Sequence, residues 1–471
     1  MRKKSLFKRL VCLALTSCML VSFTACGSKT EDKEPEIKKE NVSKKEETPL
    51  GSGNVVTATY PETVKYPSYD DFYTEKDGYD FDAYNEAYDA WANSRTIFED
   101  TAYIGKMKEF LAKSTKLMLK DSDGANRVYS PISFYLALGM LSEITDTDTR
   151  KEILSAMGVE SIEEAREVAN ALWKANYKDD GSITSILGSS VWLSNTFPYK
   201  KDALDNLAKY YYSSSFSGEM GSLEYNSIFK DWLNAQTGDL LTDMVDSLGF
   251  TPETVLALAT TVYYTATWQD EFYETEELTF KKADGTSFNT DFLKERGKNT
   301  VWFGKNFTAT SKSFLNGGRM YFILPNSGVS TNDLLDDEEA ASFMADPSNT
   351  DLKSGRYWVN MFVPKFDVSC QTDLKAVMQE LGIEKVMGSL ADFSPVSDYG
   401  EIVLSSASHG ARVLIDEKGC KAAAFTVMMM ENTAFVQYDE YDFYANRPFF
   451  FVITGNDGSI LFNGLVNCPV E

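Results

Sequence analysis

The second half of the chain is written as apolar runs separated by short polar breaks. VLALATTVYYTATW (255–268), MYFILP (320–325), YWVNMFVPKF (357–366), ARVLI (411–415), PFFFVIT (448–454) and ILFNGLV (460–466) are rich in β-branched and aromatic residues and read as strands. The first half follows a helical period more often. KMKEFLAKSTKLMLK (106–120) predicts an amphipathic helix. In NRVYSPISFYLALGML (126–141), Ser130-Pro131 fits a helix start with proline in the first turn. Helical segments alternate with strands up to about residue 250. Helices early and strands late predict a mixed α+β fold, not a doubly wound sheet. One stretch fits neither period. Residues 416–435, DEKGCKAAAFTVMMMENTAF, mix helix-favouring Ala and Met with strand-favouring Phe, Thr and Val.

The N-terminus carries a targeting pattern. Arg2, Lys3, Lys4, Lys8 and Arg9 surround the start of an apolar segment, Leu10 to Phe23, too short to span a bilayer and of signal-peptide length. Residues 1–25 therefore read as a signal peptide. Phe23-Thr24-Ala25-Cys26-Gly27 resembles a bacterial lipobox, which implies cleavage before Cys26 and acylation of its thiol. The alternative is an ordinary signal peptide with a chance cysteine. Residues 26–58 read as the lipidated Cys26 and a disordered charged tether, because 27–50 balances Lys against Glu with almost nothing apolar. Residues 59–102 form an acidic, tyrosine-rich extension. There Phe81, Tyr84, Tyr88 and Trp91 fall at helical spacing and predict one aromatic face. That face packs on the main domain or, alternatively, docks a partner, with disorder of the segment as the remaining reading. Residues 103–471 make up the main domain.

Composition narrows the chemistry. A chain of 471 residues that is 43% hydrophobic supports a large core. A net charge of −24 argues against nucleic acid and anionic membrane surfaces, which need clustered Lys and Arg. Membrane contact is expected through the lipid anchor only. After processing, Cys370, Cys420 and Cys468 remain beside Cys26, without CxxC spacing, so neither a disulfide framework nor a zinc site follows. His409 is the only histidine. Its surroundings, SSASHGARV, form no nucleophile elbow, and phosphate-loop, HExxH and EF-hand patterns are missing. No metal, cofactor or catalytic residue is expected.

Several blocks then line up in order. Asn126 to Ser133 reads N-x-x-x-S-P-x-S, and Trp232 is followed by Thr237. Val262-Tyr263-Tyr264 precedes Trp268 and Phe272. Pro364-Lys365-Phe366, Asp373-Leu374, Leu381-Gly382 and Ala391-Asp392-Phe393-Ser394 follow. Ser408-His409-Gly410-Ala411 leads to Glu417-Lys418-Gly419 and Ala422-Ala423-Ala424. Asn446-Arg447-Pro448-Phe449 and Ile460-Leu461-Phe462-Asn463-Gly464 close the chain. Together these resemble the serpins, the serine protease inhibitors, over about residues 104–471.

The resemblance implies a serpin fold, with large mixed and antiparallel sheets, surrounding helices and an exposed reactive-centre loop. It implies a suicide-substrate inhibitor of a serine endopeptidase, not an enzyme. A target serine protease cleaves the loop, the loop inserts as a new strand, and the protease stays attached as a covalent acyl complex. Glu417, Gly419, Cys420, Ala422, Ala423 and Ala424 match the hinge. Ser130, Ser133 and His409, with Thr260 where the family has Asn, match the shutter, and Trp268 matches the breach. Counting about sixteen residues on from Glu417, as the family pattern does, sets the reactive bond at Thr433-Ala434, within Asn432 to Phe435. The implied protein is a monomer, secreted and anchored to the outer face of the bacterial cell membrane.

Residue parity tests this independently. As an inserting strand, Cys420, Ala422, Ala424, Thr426, Met428, Met430 and Asn432 point inward. Lys421, Ala423, Phe425, Val427, Met429 and Glu431 point outward and carry both charges. A shift of one residue would bury Lys421 and Glu431. No proline occurs from Val396 to Arg447 to interrupt a ladder. Thr433 is small and uncharged, which suits elastase-like or subtilisin-like proteases. Cys420 in place of Thr or Ser, the bulky Phe425, and Thr260 support an alternative, a non-inhibitory serpin-fold binding or structural protein. A hydrolase built on His409 is the remote third class.

Overall fold

The computed structural model describes residues 54–470 except 75, 77, 95–100, 182, 316–317, 399–401, 405 and 421–437. The chain opens with β1 (Asn54–Val56), a single turn over Tyr69–Phe72, β2 (Tyr73–Thr74), β3 (Gly78–Tyr79) and α1 (Phe81–Ser94). Then come α2 (Ala102–Leu119), β4 (Arg127–Tyr129), α3 (Pro131–Glu143), α4 (Thr147–Met157) and α5 (Ile162–Asn176). Next are β5 (Lys178–Asp179), β6 (Ile183–Ser194), α6 (Lys201–Tyr211), β7 (Ser213–Gly218), α7 (Leu223–Thr237) and α8 (Thr242–Val245). The strand-rich half begins with β8 (Leu256–Thr267), β9 (Glu274–Lys281), β10 (Ser287–Phe303), β11 (Phe307–Ser313) and β12 (Arg319–Pro325). Short helices α9 (Thr331–Leu335) and α10 (Glu338–Ala345) precede β13 (Lys353–Pro364), β14 (Phe366–Asp373) and α11 (Leu374–Glu380). The chain ends with β15 (Ser408–Ile415), β16 (Gly419–Cys420), β17 (Glu440–Tyr444), β18 (Phe449–Thr454) and β19 (Ile460–Val466).

Two large sheets organise these elements, as the α+β reading requires. The first runs β1-β7-β6-β8-β16-β15-β14, with β5 beside β6. The second runs β17-β13-β10-β11-β12-β18-β19-β4, with β9 beside β10. PFFFVIT and ILFNGLV are almost wholly apolar because β18 and β19 are buried throughout, with the buried Asn463 donating to Thr115 Oγ1. YWVNMFVPKF is not one strand: it breaks at Lys365, and β13 and β14 belong to different sheets. Pro364 ends the first, since proline cannot donate to a ladder.

Helix α3 packs against β8 and β19 and is buried over nearly its whole length. That is why its sequence is apolar all round instead of striped. Its start is fixed locally. Ser130 Oγ accepts the Ser133 N–H at 3.3 Å, and Pro131 occupies the first turn.

The N-terminal region departs from its expected layout. Residues 54–56, assigned to the tether, pair antiparallel with β7. Val55 and Val56 are β-branched, and β7 offers them a free edge. Helix α1 forms as predicted, but its aromatic residues do not share one environment. Tyr84 and Trp91 are buried while Phe81, its first residue, is exposed. Trp91 Nε1 donates to Asp180 Oδ2 at 2.9 Å, the Tyr66 N–H donates to Asp180 O at 2.7 Å, and Tyr60 stacks on Trp173 and Tyr177. The extension is thus packed onto the end of α5 and the β5 strand.

Trp91→Ala removes a buried indole and its hydrogen bond, at a cost of about 3 kcal/mol. Amide exchange at Tyr66, whose N–H depends on the same contact, should quicken about a hundredfold, measured by hydrogen–deuterium exchange.

Candidate functional site

Strand β8 has β6 on one side and, on the other, only the two residues of β16. Across that gap lies β15. Gly419 pairs with Thr267, and Cys420 pairs with both Ala266 and Ile415. Below Cys420 the facing edges of β8 and β15 have no strand between them among the described residues. A cavity of about 220 Å³ occupies that region, lined by Leu256, Leu258, Thr260, Leu374, Phe393 and His409 among others.

The mouth of the gap is held by a tight turn. Asp416 Oδ1 accepts the N–H groups of Lys418 and Gly419 at 2.8 and 3.1 Å, and the Asp416 N–H donates to Gly419 O at 3.0 Å. Trp268 reads the turn twice. Its Nε1 donates to Asp416 O at 3.0 Å and its backbone N–H to Lys418 O at 2.9 Å. The indole is itself fixed, stacked on Phe314 with centroids 4.6 Å apart. Glu417 pairs with Lys365, accepts from Thr275 Oγ1 at 2.9 Å, and its carbonyl takes the Phe272 N–H at 3.0 Å. The Lys365 ammonium beside it holds its carboxyl below the usual range.

Gly419 has no room for a side chain. A Cβ there would lie 2.2 Å from Ala266 O. Cys420 points inward and is 3% exposed, the orientation its parity predicted. Burial pushes its thiol up to about 12, so it is protonated and serves as a small apolar filler. Beneath Trp268 and Phe272 sits a buried ion pair, Lys312 with Glu295. No sequence pattern marked it, because its partners lie on different strands and are brought together only by β10 and β11.

The structure brings Ser130, Ser133, Thr260 and His409 into one group. His409 Nε2 accepts the backbone N–H of Ser130 at 3.0 Å, so the contact is to the main chain and not to a serine hydroxyl. Ser133 Oγ and Thr260 Oγ1 are 3.0 Å apart, and Thr260 Oγ1 also donates to Ser133 O at 3.0 Å. The threonine thus meets α3 through its own hydroxyl. Burial lowers His409 to about 4, leaving it neutral and able to accept. Cys26, Ala422, Ala423, Ala424 and the Asn432 to Phe435 segment with Thr433 and Ala434 lie outside the described residues. Among the described residues no group of three His, Cys, Asp or Glu could hold a metal.

An α+β protein whose described residues leave one position of a large sheet entered only by Gly419 and Cys420, beside an acidic turn, has the serpin class of fold. The chain belongs to the serpin family. The family profile, described as "Serpin (serine protease inhibitor)", matches residues 106–469. Human Neuroserpin is 26% identical over 365 residues, covering 73% of this chain and 86% of that protein. Arabidopsis thaliana Serpin-ZX is 25% identical over 371 residues, covering 74% and 94%. In fold, the native state of the thermophilic serpin Tengpin is similar with a TM-score of 0.68, at 24% identity, over 78% of this chain and 95% of that one. Human thyroxine-binding globulin is similar with a TM-score of 0.65, at 21% identity, over 78% and 100%.

Two measurements probe this site. Gly419→Ala should expel the turn from the gap, so mass spectrometry should find Cys420 labelled by a thiol reagent at least about tenfold faster than in the parent. Burial holds the His409 pKa at about 4, below its ordinary 6.5. Its contribution is complete above pH 6.5 and is lost as pH falls toward 4, by about 3 kcal/mol. Urea unfolding between pH 4 and 6.5 should show this slope in the parent and a flatter one in His409→Asn.

Proposed function

We propose that this chain is a suicide-substrate inhibitor of elastase-like or subtilisin-like serine proteases, tethered by a lipidated Cys26 to the outer face of the cell membrane. The observation that carries the reading is the entry of Gly419 and Cys420 between β8 and β15, with no strand between those two below Cys420 among the described residues. Continuing that antiparallel register sets Ala422 opposite Tyr264 and Val413, and Ala424 opposite Val262 and Ala411. Thr426 then falls opposite Thr260 on one side and His409 on the other. Met428 and Met430 fall opposite Leu258 and Leu256, at the cavity. The one polar inward residue before Asn432 thus meets the polar group, and the two methionines, which adapt to irregular space, meet the apolar void.

The chemistry is the protease's own. Its serine oxygen attacks the Thr433 carbonyl carbon, the Thr433-Ala434 bond breaks, and the amine of Ala434 leaves with a proton. The acyl ester remains on Thr433 while the strand inserts and carries the protease away from water-competent geometry. Closing the ladder beside β8 and β15 supplies the driving force, since each new hydrogen bond contributes a net of about 1 kcal/mol.

Purified domain mixed with an elastase-like protease should give a covalent complex that survives SDS, with an acyl link at Thr433 by mass spectrometry. Quantitative cleavage without complex would sink the reading. Thermal melting after nicking then separates the alternative: a large rise in Tm accompanies insertion, and an unchanged Tm marks a non-inhibitory binding or structural protein, as the bulky Phe425 would favour.

A further inference from the structure

The acidic extension carries aromatic rings that its own packing does not use. Its anchorage rests on Tyr60, Tyr66 and Trp91, which meet Trp173, Tyr177 and Asp180. Tyr73, Tyr79 and Phe81 remain 50%, 47% and 61% exposed. They are contiguous. Tyr73 and Tyr79 pair across the β2–β3 hairpin with centroids 4.8 Å apart, and Phe81 lies 6.0 Å beyond Tyr79. A cavity of about 510 Å³ opens beside them, walled by Phe72, Tyr79 and Phe81 and bordered by Asp80 and Asp82.

A hairpin of two-residue strands has little stability of its own, so exposed rings on it are a cost unless something covers them. Charge says what that is. Among described residues 69–82, Asp70, Asp71, Asp80 and Asp82 face a single cation, Lys76. A ring face is the negative pole of its quadrupole, and ring faces flanked by carboxylates favour an ammonium or guanidinium group with an apolar stem. We propose that this face docks a Lys- or Arg-bearing segment of a partner protein, its cations lying on Tyr73, Tyr79 and Phe81 and balanced by Asp80 and Asp82.

The placement gives the contact a consequence. The extension is anchored at Asp179 and Asp180, next to the start of β6. Ile183 there pairs with Ala266, which pairs with Cys420. The anchor of the extension therefore lies at the end of the sheet where the hinge enters.

The test is binding of a fluorescent decalysine peptide to the full chain, followed by anisotropy. Saturable binding is expected, with none for the fully acetylated peptide. Replacing Tyr73, Tyr79 and Phe81 together by Ser keeps every charge, yet should weaken binding at least about tenfold with Tm unchanged. A second variant, Asp80→Asn with Asp82→Asn, keeps the rings and should also weaken it. Equal binding by the ring variant would overturn the proposal, leaving general acidity as the cause. So would binding of a neutral oligosaccharide in place of the peptide.

Discussion

Among the described residues, β8 and β15 flank one strand position that only the two residues of β16 enter, and the groups around it govern that position. Both β8 and β15 run antiparallel to the two residues of β16, so they run the same way and could flank one more strand along their length. Unpaired sheet edges are unfavourable and attract any extended segment. About ten further residues could pair there. At a net of about 1 kcal/mol per hydrogen bond, the filled sheet lies on the order of 10 kcal/mol below the open one. If the proposed insertion takes place, a state that far uphill would persist only with entry controlled at defined points.

The structure supplies two such points, and they differ in chemistry. Helix α3 lies behind the gap and is fastened to both of its sides. Ser133 joins it to β8 through Thr260, and Ser130 joins it to β15 through His409. Widening the gap must stretch one fastening or the other. Both depend on neutral groups. His409 can accept the Ser130 N–H only while unprotonated, and burial keeps it so. At the mouth the groups are charged: Glu417 with Lys365 in the turn, and Lys312 with Glu295 below Trp268.

Much of this was legible in the sequence because it rests on parity and on short local signals. Cys420 faces inward as its parity requires, and Ser130-Pro131 starts a helix as its residue types require. What could not be read depends on partners distant in the chain. That His409 meets a backbone N–H and not a hydroxyl is decided by how β15 crosses the start of α3. The break at Lys365 is invisible inside a run of apolar residues whose two halves enter different sheets. Val55 and Val56 looked like the end of a charged tether until β7 offered them an edge. Phe81 shares the period of Tyr84 and Trp91, but periodicity does not say how far along α1 the supporting surface extends.

The division between a charged mouth and a neutral interior suits the strand entry proposed above. Charged groups are costly to move through a low-dielectric interior, so they suit a turn that must stay where it is. Hydroxyls and a neutral imidazole exchange one hydrogen bond for another at little net cost, so they suit a passage. Gly419 stands at the border between the two. Any side chain there would set its Cβ 2.2 Å from Ala266 O, so only glycine passes, and Cys420, the first side chain beyond it, is already uncharged and inward. The change from acidic turn to small apolar residues in DEKGCKAAA is therefore the same change, written along the chain, that the sheet shows from its mouth to its interior.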